Sequence, residues 1–191
     1  IPVSGGKDST WQTIKCLEKG LKPLCFSWKS PARTKLGQSN LENLIKLGVD
    51  HFDISINPKI EKSLILKAFK KTGSVAIPMH MAIYTLALDI AQKYKIKHII
   101  FGENPAKEYG SQNKKDITKK IDYDWLKKYG VNGGINFENL KDEKIELNSK
   151  NLYFYNVKFR KNISVHFLGD YITWDPIETY KISSQHGFKK L

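Results

Sequence analysis

Cysteine and arginine are scarce in this chain of 191 residues, and their scarcity excludes several readings. The two cysteines, Cys16 and Cys25, make no CxxC pair, no zinc-ligand spacing and no disulfide framework. The expectation is two reduced, partly buried thiols in a cytoplasmic protein. No apolar run is long enough to span a membrane, and no signal peptide is visible. Internal repeats and low-complexity tracts are absent. So are the GxxxxGK[ST] pattern of P-loops and the GxGxxG pattern of dinucleotide folds.

Arginine occurs at Arg33 and Arg160 alone, although Lys and Arg together number 32 and the net charge is +13. A strongly basic chain invites a nucleic-acid reading. Yet the planar fork that grips phosphates and guanines belongs to arginine, not to lysine. The lysines lie in short pairs such as Lys70-Lys71, Lys114-Lys115, Lys119-Lys120 and Lys127-Lys128. They read first as a solvated surface and second as a face for RNA or an acidic partner.

Helical and strand patterns alternate over the first hundred residues. Ile1, Pro2 and Val3 read as the end of a strand that begins upstream of this chain, whose first residue is not methionine. A helix is expected over 9–19, with Ile14 and Leu17 on one face and Gly20 as its stop. A strand over 22–28 carries Leu24, Cys25 and Phe26. Leu41, Leu44 and Ile45 share the face of a helix over 40–47, closed by Gly48 and followed by a strand over 51–56. Asn57 and Pro58 form a cap and first helical position for a helix running to Lys71. After a break over 73–78, Ile83, Leu86, Ala87 and Ile90 stripe a helix over 79–94. A strand over 98–101 ends at Gly102.

The next stretch is polar and basic, with turns at Gly130, Gly133 and Gly134 and a short helix over 122–129. A strand over 163–168 follows, and Asp175-Pro176 opens a last helix. The alternation predicts an α/β fold, a parallel sheet with helices on both faces. The expected organisation is a nucleotide-binding core over 1–102, an insertion over 103–160 serving as a substrate lid, and a return to the core over 161–191 that continues beyond the chain. Ligands in such sheets bind at the carboxyl ends of strands, which directs attention to the loops after Val3, Trp28, Ile56 and Phe101.

The first of these loops carries the strongest chemical signal: Ser4-Gly5-Gly6-Lys7-Asp8-Ser9-Thr10, between a strand end and a helix start. Two glycines let the backbone turn tightly and aim its N–H groups at an anion. The helix start adds unpaired N–H groups and the positive end of its dipole. Ser4, Ser9 and Thr10 offer hydroxyl donors, and Lys7 offers a mobile positive charge. Asp8 would repel a phosphate, so its place there makes sense as a Mg²⁺ ligand, direct or through water.

This loop resembles the SGGxDS signature of the PP-loop ATP pyrophosphatases. Further segments narrow the resemblance: Ser27 to Thr34 after the second strand, Gly48-Val49-Asp50-His51, Gly73 to Met81, Phe101-Gly102-Glu103-Asn104, Glu108-Tyr109-Gly110 and Trp174-Asp175-Pro176. Together they look like the N-acetyl sugar amidotransferases of bacterial surface-polysaccharide and flagellin-glycan biosynthesis. The resemblance covers about residues 1 to 110 and returns over 171–186. It implies an adenine nucleotide alpha hydrolase-like, Rossmann-like fold. It also implies an enzyme using ATP and Mg²⁺ to turn a sugar acetamido group into an acetamidino group, the sugar free or nucleotide-linked. Ammonia would come from a separate glutaminase subunit. A homo-oligomer is compatible with the sequence.

On this resemblance Ser4, Gly5, Gly6, Ser9 and Thr10 hold the pyrophosphate, Lys7 neutralises developing charge and Asp8 orients Mg²⁺. Val3, Phe26, Ser27 and Gly102 are placed to meet adenine or ribose. Glu103 reads as a metal or substrate contact or as a surface acid, with Asn104 beside it. Arg33 reads as a phosphate or sugar-carboxylate contact or as a surface salt bridge. His80 reads as a substrate contact and acid–base group or as a packed, capping residue. Glu108 and Tyr109 are candidates for the sugar pocket. Two rivals stand beside this reading. One is a tRNA-modifying enzyme of the same superfamily, similar to lysidine synthetase. The other is an adenine-nucleotide-binding module without catalysis.

Overall fold

The structure, a computed structural model, describes residues 1–102, 153–158 and 161–190. It is a mixed α/β chain with short parallel strand pairing. The first strand segment is brief. Val3 N–H donates to the Phe26 carbonyl (2.8 Å), Phe26 N–H donates to the Ile1 carbonyl (3.0 Å), and Pro2 bridges Phe26 in parallel. Pro2 has no N–H to give, so this ladder runs through its neighbours.

Helix α1 spans Lys7–Glu18, strand β1 Leu24–Trp28, helix α2 Lys35–Ile45 and strand β2 Asp50–Ile54. β1 and β2 pair in parallel, with Cys25 opposite His51 and Ser27 opposite Asp53. The middle of β1 is buried, as a strand covered on both faces should be. β2 is more polar and more exposed.

Helices α3 (Pro58–Thr72) and α4 (Ile77–Lys93), strand β3 (His98–Phe101), strand β4 (Ser164–Phe167) and helix α5 (Pro176–Gln185) complete the described elements. β3 and β4 form a second two-stranded sheet. Two expected caps are found where their residues pointed. The Asn57 side chain accepts from Lys59 N–H before α3, which ends at Gly73 in the left-handed region (φ 75°). The Asp175 carboxylate accepts from the amides of Ile177 and Glu178 before α5.

Three helices begin earlier than their apolar patterns suggest. α1 starts at Lys7, because Gly6 holds an extended N-cap conformation and Asp8 suits the positive end of the helix. α2 starts at Lys35, because the Thr34 hydroxyl accepts from Gly37 N–H at 3.0 Å. α4 starts at Ile77 and carries Pro78 in its first turn, where no N–H is needed. The short helix expected over 122–129 and most of the expected insertion lie outside the described residues.

The chain divides into two compact units. One comprises Ile1–Ile54, Ile100–Asn104 and Phe167–Leu191, the other Ser55–Ile99 and Pro105–His166. In the first unit Val3, Cys25, Leu41, Leu44 and Val49 form one buried cluster. Trp11, Cys16 and Leu168 form another, with Ile100, Ile172 and Ile182 packed on it. α5 packs on α1. The chain after α5 is sewn to α2, for the Asn40 side chain donates to the Lys189 carbonyl (2.7 Å) and accepts from its N–H (3.0 Å). In the second unit α4 packs on α3 and on the short turn Tyr153–Tyr155, with Leu64, Ala68, Met81 and Tyr155 buried. Among the described residues no helix is long and apolar enough to cross a membrane.

Candidate functional site

The segment between Val3 and α1 is a compact turn built by its own side chains. Gly5 has φ 79°, and a Cβ there would lie 2.6 Å from the Leu41 nitrogen. Only glycine fits both the conformation and the space. The Ser4 hydroxyl accepts from Gly6 N–H at 3.2 Å. The Ser9 hydroxyl donates to the Gly6 carbonyl at 3.1 Å and lies 3.3 Å from the Ser4 nitrogen, which donates to it.

These bonds leave the first turn of α1 open. Gly6, the N-cap, makes no side-chain capping bond, and among the described residues nothing accepts from the amides of Lys7, Asp8 and Ser9. Free N–H groups at the positive end of a three-turn helix attract an anion. Thr10 does not join them. Its N–H is spent on the Gly6 carbonyl (3.0 Å). Its side chain is 2% exposed, with the hydroxyl lacking a partner among the described residues.

Two charges stand at this turn. Lys7 Nζ donates to Asp8 Oδ1 at 2.6 Å, both side chains being about one-third exposed (32% and 30%). Trp174 joins them. Its indole N–H donates to the same Oδ1 at 3.1 Å, and its ring centre lies 5.3 Å from Lys7 Nζ. α5 is held against this turn by the Ser183 hydroxyl, which donates to the Lys7 carbonyl at 2.6 Å. Asp8 Oδ2 takes no hydrogen bond among the described residues.

A Mg²⁺ ion asks for about six oxygens and keeps most of them as water and phosphate, so one protein carboxylate suits it. Asp8 fits that demand, with one oxygen committed to Lys7 and Trp174 and the other uncommitted. Among the described residues no group of three or more His, Cys, Asp or Glu is gathered as a metal cage.

The remaining candidates fall in several places. Val3, Phe26 and Ser27 are buried, at 6%, 2% and 1% exposure, so their side chains are core rather than pocket wall. Gly102 is explained by packing, since a Cβ there would meet Gln12 Oε1 at 2.8 Å. Gln12 is itself fixed by donating to the Ile100 carbonyl at 2.7 Å. Arg33 makes the salt bridge: its guanidinium meets Asp53 with two bonds of 2.7 and 2.8 Å and reaches Gln38 at 3.1 Å. His80, in the second unit, bonds the Ala76 carbonyl through Nδ1 at 3.0 Å. Burial lowers its pKa, and the carbonyl bond works against that shift. That is a first-turn packing role. Glu103, Asn104, Glu108 and Tyr109 lie outside the described residues.

A Ser–His contact lies beside Arg33. The Ser27 hydroxyl donates to the Val3 carbonyl at 2.6 Å and touches His51 Nε2 at 2.9 Å. One hydroxyl has one proton, and a carbonyl can only accept. His51 therefore brings the proton at Nε2, and it cannot serve Ser27 as a base. Burial lowers the His51 pKa, Asp53 opposing and Arg33 adding to that shift. The group is a structural relay and not a nucleophile–base pair.

Sequence reasoning overlooked Gln12, Asp53 and Ser183 as parts of this region, and it marked Trp174 for its resemblance without giving it a role at the turn. His51 and Asp53 alternate on β2 and so share a face, which the sequence does display. The other pairings join residues far apart in the chain, and no local signal announces them. No protein-family model matches the chain, and no curated protein matches it.

Proposed function

We propose that the turn Ser4 to Ser9 binds the polyphosphate of ATP, and that the protein is an ATP pyrophosphatase-type enzyme acting on a sugar acetamido group. The observation that carries the reading is the open first turn of α1, with three unpaired amides beside Lys7 and Asp8. Backbone N–H groups of Gly5, Lys7, Asp8 and Ser9, with the Ser4 hydroxyl, are the donors for phosphate oxygens, while the Ser9 hydroxyl braces the turn through the Gly6 carbonyl. Lys7 turns from Asp8 to the anion as charge grows on the departing pyrophosphate. Bound Mg²⁺, held at Asp8, would spread the phosphate charge and orient the chain of phosphates.

The chemistry follows from what an amide lacks, a leaving oxygen. The amide oxygen attacks the α-phosphorus, the bond to pyrophosphate breaks, and the oxygen becomes part of AMP. Ammonia then adds to the carbon and AMP departs with that oxygen, leaving the amidine. The resemblance of the loop and its companion segments to N-acetyl sugar amidotransferases supports this choice of substrate. The net charge of +13 supports a second reading, a tRNA substrate for the same adenylation.

The test is release of AMP and pyrophosphate from ATP and Mg²⁺ with ammonium and a panel of free and nucleotide-linked acetamido sugars, tRNA being run in parallel. Sugar-dependent release with replacement of O by NH in the product is the expected result. Release with tRNA alone moves the substrate to RNA. ATP binding without release under any condition reduces the site to a binding module. Asp8→Ala is expected to lower turnover on the order of 100-fold or more with circular dichroism unchanged. A variant that turns over at the rate of the unaltered protein removes Asp8 from the mechanism.

A further inference from the structure

The ring of Trp174, bonded to Asp8, stands 166 residues beyond it in the chain. Asp175, its neighbour, caps α5 through two amides at 2.8 and 2.7 Å, which fixes the direction in which the chain leaves Trp174. α5 is then tied to α1 through Ser183 and the Lys7 carbonyl, and Thr179 and Ser183 are fully buried in that packing. The ring itself is 48% exposed, so the core does not need it.

Its contacts have a chemical logic. An indole N–H can donate and cannot accept, so it selects the carboxylate and not the ammonium. The ring face attracts the ammonium. Both Lys7 Nζ and Trp174 Nε1 are spent on Asp8 Oδ1. With Oδ1 filled twice, the carboxylate has one oxygen, Oδ2, to offer to a cation.

We infer that Trp174 is a positioning residue for the phosphate site, whose indole N–H orients the Asp8 carboxylate so that Oδ2 meets a phosphate-bound divalent cation. This rests on the proposed phosphate role of the turn and adds a residue and a direction to it. When a polyphosphate draws Lys7 away, the indole bond alone keeps Asp8 in that rotamer. The bond therefore acts on the metal-dependent part of binding and leaves the metal-free part alone.

Calorimetric titration with inorganic pyrophosphate, with and without Mg²⁺, separates the two parts. Trp174→Phe keeps a ring face and removes the donor. It is expected to weaken Mg²⁺-dependent binding about three- to tenfold and to leave metal-free binding within about twofold. Trp174→His restores an N–H and is expected to recover part of the loss, and it serves as the second variant should the first fold poorly. Equal affinity of the unaltered protein and Trp174→Phe in Mg²⁺ overturns the inference and leaves the proposed function standing. Equal losses with and without Mg²⁺ also overturn it, since they mark a structural role. Failure of the unaltered protein to bind pyrophosphate in either condition overturns both.

Discussion

Gly5 and Gly6 are adjacent and look equivalent in sequence, but they carry different burdens. Gly5 is left-handed and abuts the α2 backbone, whereas Gly6 is extended at φ −71° and its added Cβ would meet only Ser4 Oγ at 3.2 Å. Gly5→Ala should therefore cost at least about 2 kcal/mol, from the left-handed backbone and the clash together. Gly6→Ala should cost less than about 1 kcal/mol, because the serine hydroxyl can turn aside. Urea unfolding of both variants checks the contrast, and equal losses would mean that the turn is not built as described. The glycine pair was legible as a tight turn before a helix. Which glycine is indispensable was not, because Leu41 meets Gly5 only once the chain is folded. Ser27 teaches the same point. Its place at the end of β1 suggested a ligand contact, and its burial against Val3 and His51 makes it part of the scaffold.

At the scale of elements, the caps decided what the sequence revealed. Asn57-Pro58 and Asp175-Pro176 unite a capping side chain with proline at the first helical position, and both helices begin there. α2 has only Thr34, followed by a stretch with little apolar periodicity that gives its first turn no pattern to show. Thr34→Ala should lower stability by about 1 kcal/mol. Thr34→Ser, which keeps the hydroxyl, should lose much less. Thermal unfolding of the two variants measures the difference, and parity between them would show that the cap carries no weight. α2 also supplies Leu41 and Leu44 to the core beneath the turn. A frayed start of α2 should thus loosen Gly5.

For the molecule as a whole, acid is the expected weakness. His51 and His80 both have pKa values lowered from the ordinary 6.5, chiefly by burial, so the folded protein binds their protons less readily than the unfolded chain. Stability is full above pH 6.5 and falls as the pH drops from there through the lowered values. Asp53 responds at lower pH. Burial works to raise its pKa, but the Arg33 bond and the charges of Arg33, Lys29 and His51 together bring it below the ordinary 3.8. Its contribution is present above pH 3.8 and goes only as the pH falls through the lowered value. Urea midpoints should therefore drop between neutral pH and the acid side of the histidine range, and His51→Gln should flatten that drop. A midpoint that rises on acidification would contradict the burial of both imidazoles. The thiols need no such reservation at neutral pH. Cys16 and Cys25 are buried, burial raises both pKa values, and Cys25 is pushed up to about 11. They stay protonated at neutral pH.

The bonds from Trp174 to Asp8 and from Ser183 to Lys7 span 166 and 176 residues. Translation thus delivers Lys7 and Asp8 well before the groups that hold them. A nascent chain can curl its glycine turn as that segment emerges, but it cannot clasp the two charges until Trp174 and Ser183 have left the ribosome. Closing so long a loop is slow, so the emerging polypeptide carries an unclasped Asp8 until then. The order of synthesis therefore withholds the finished turn, with its two charges held, from partly made chains.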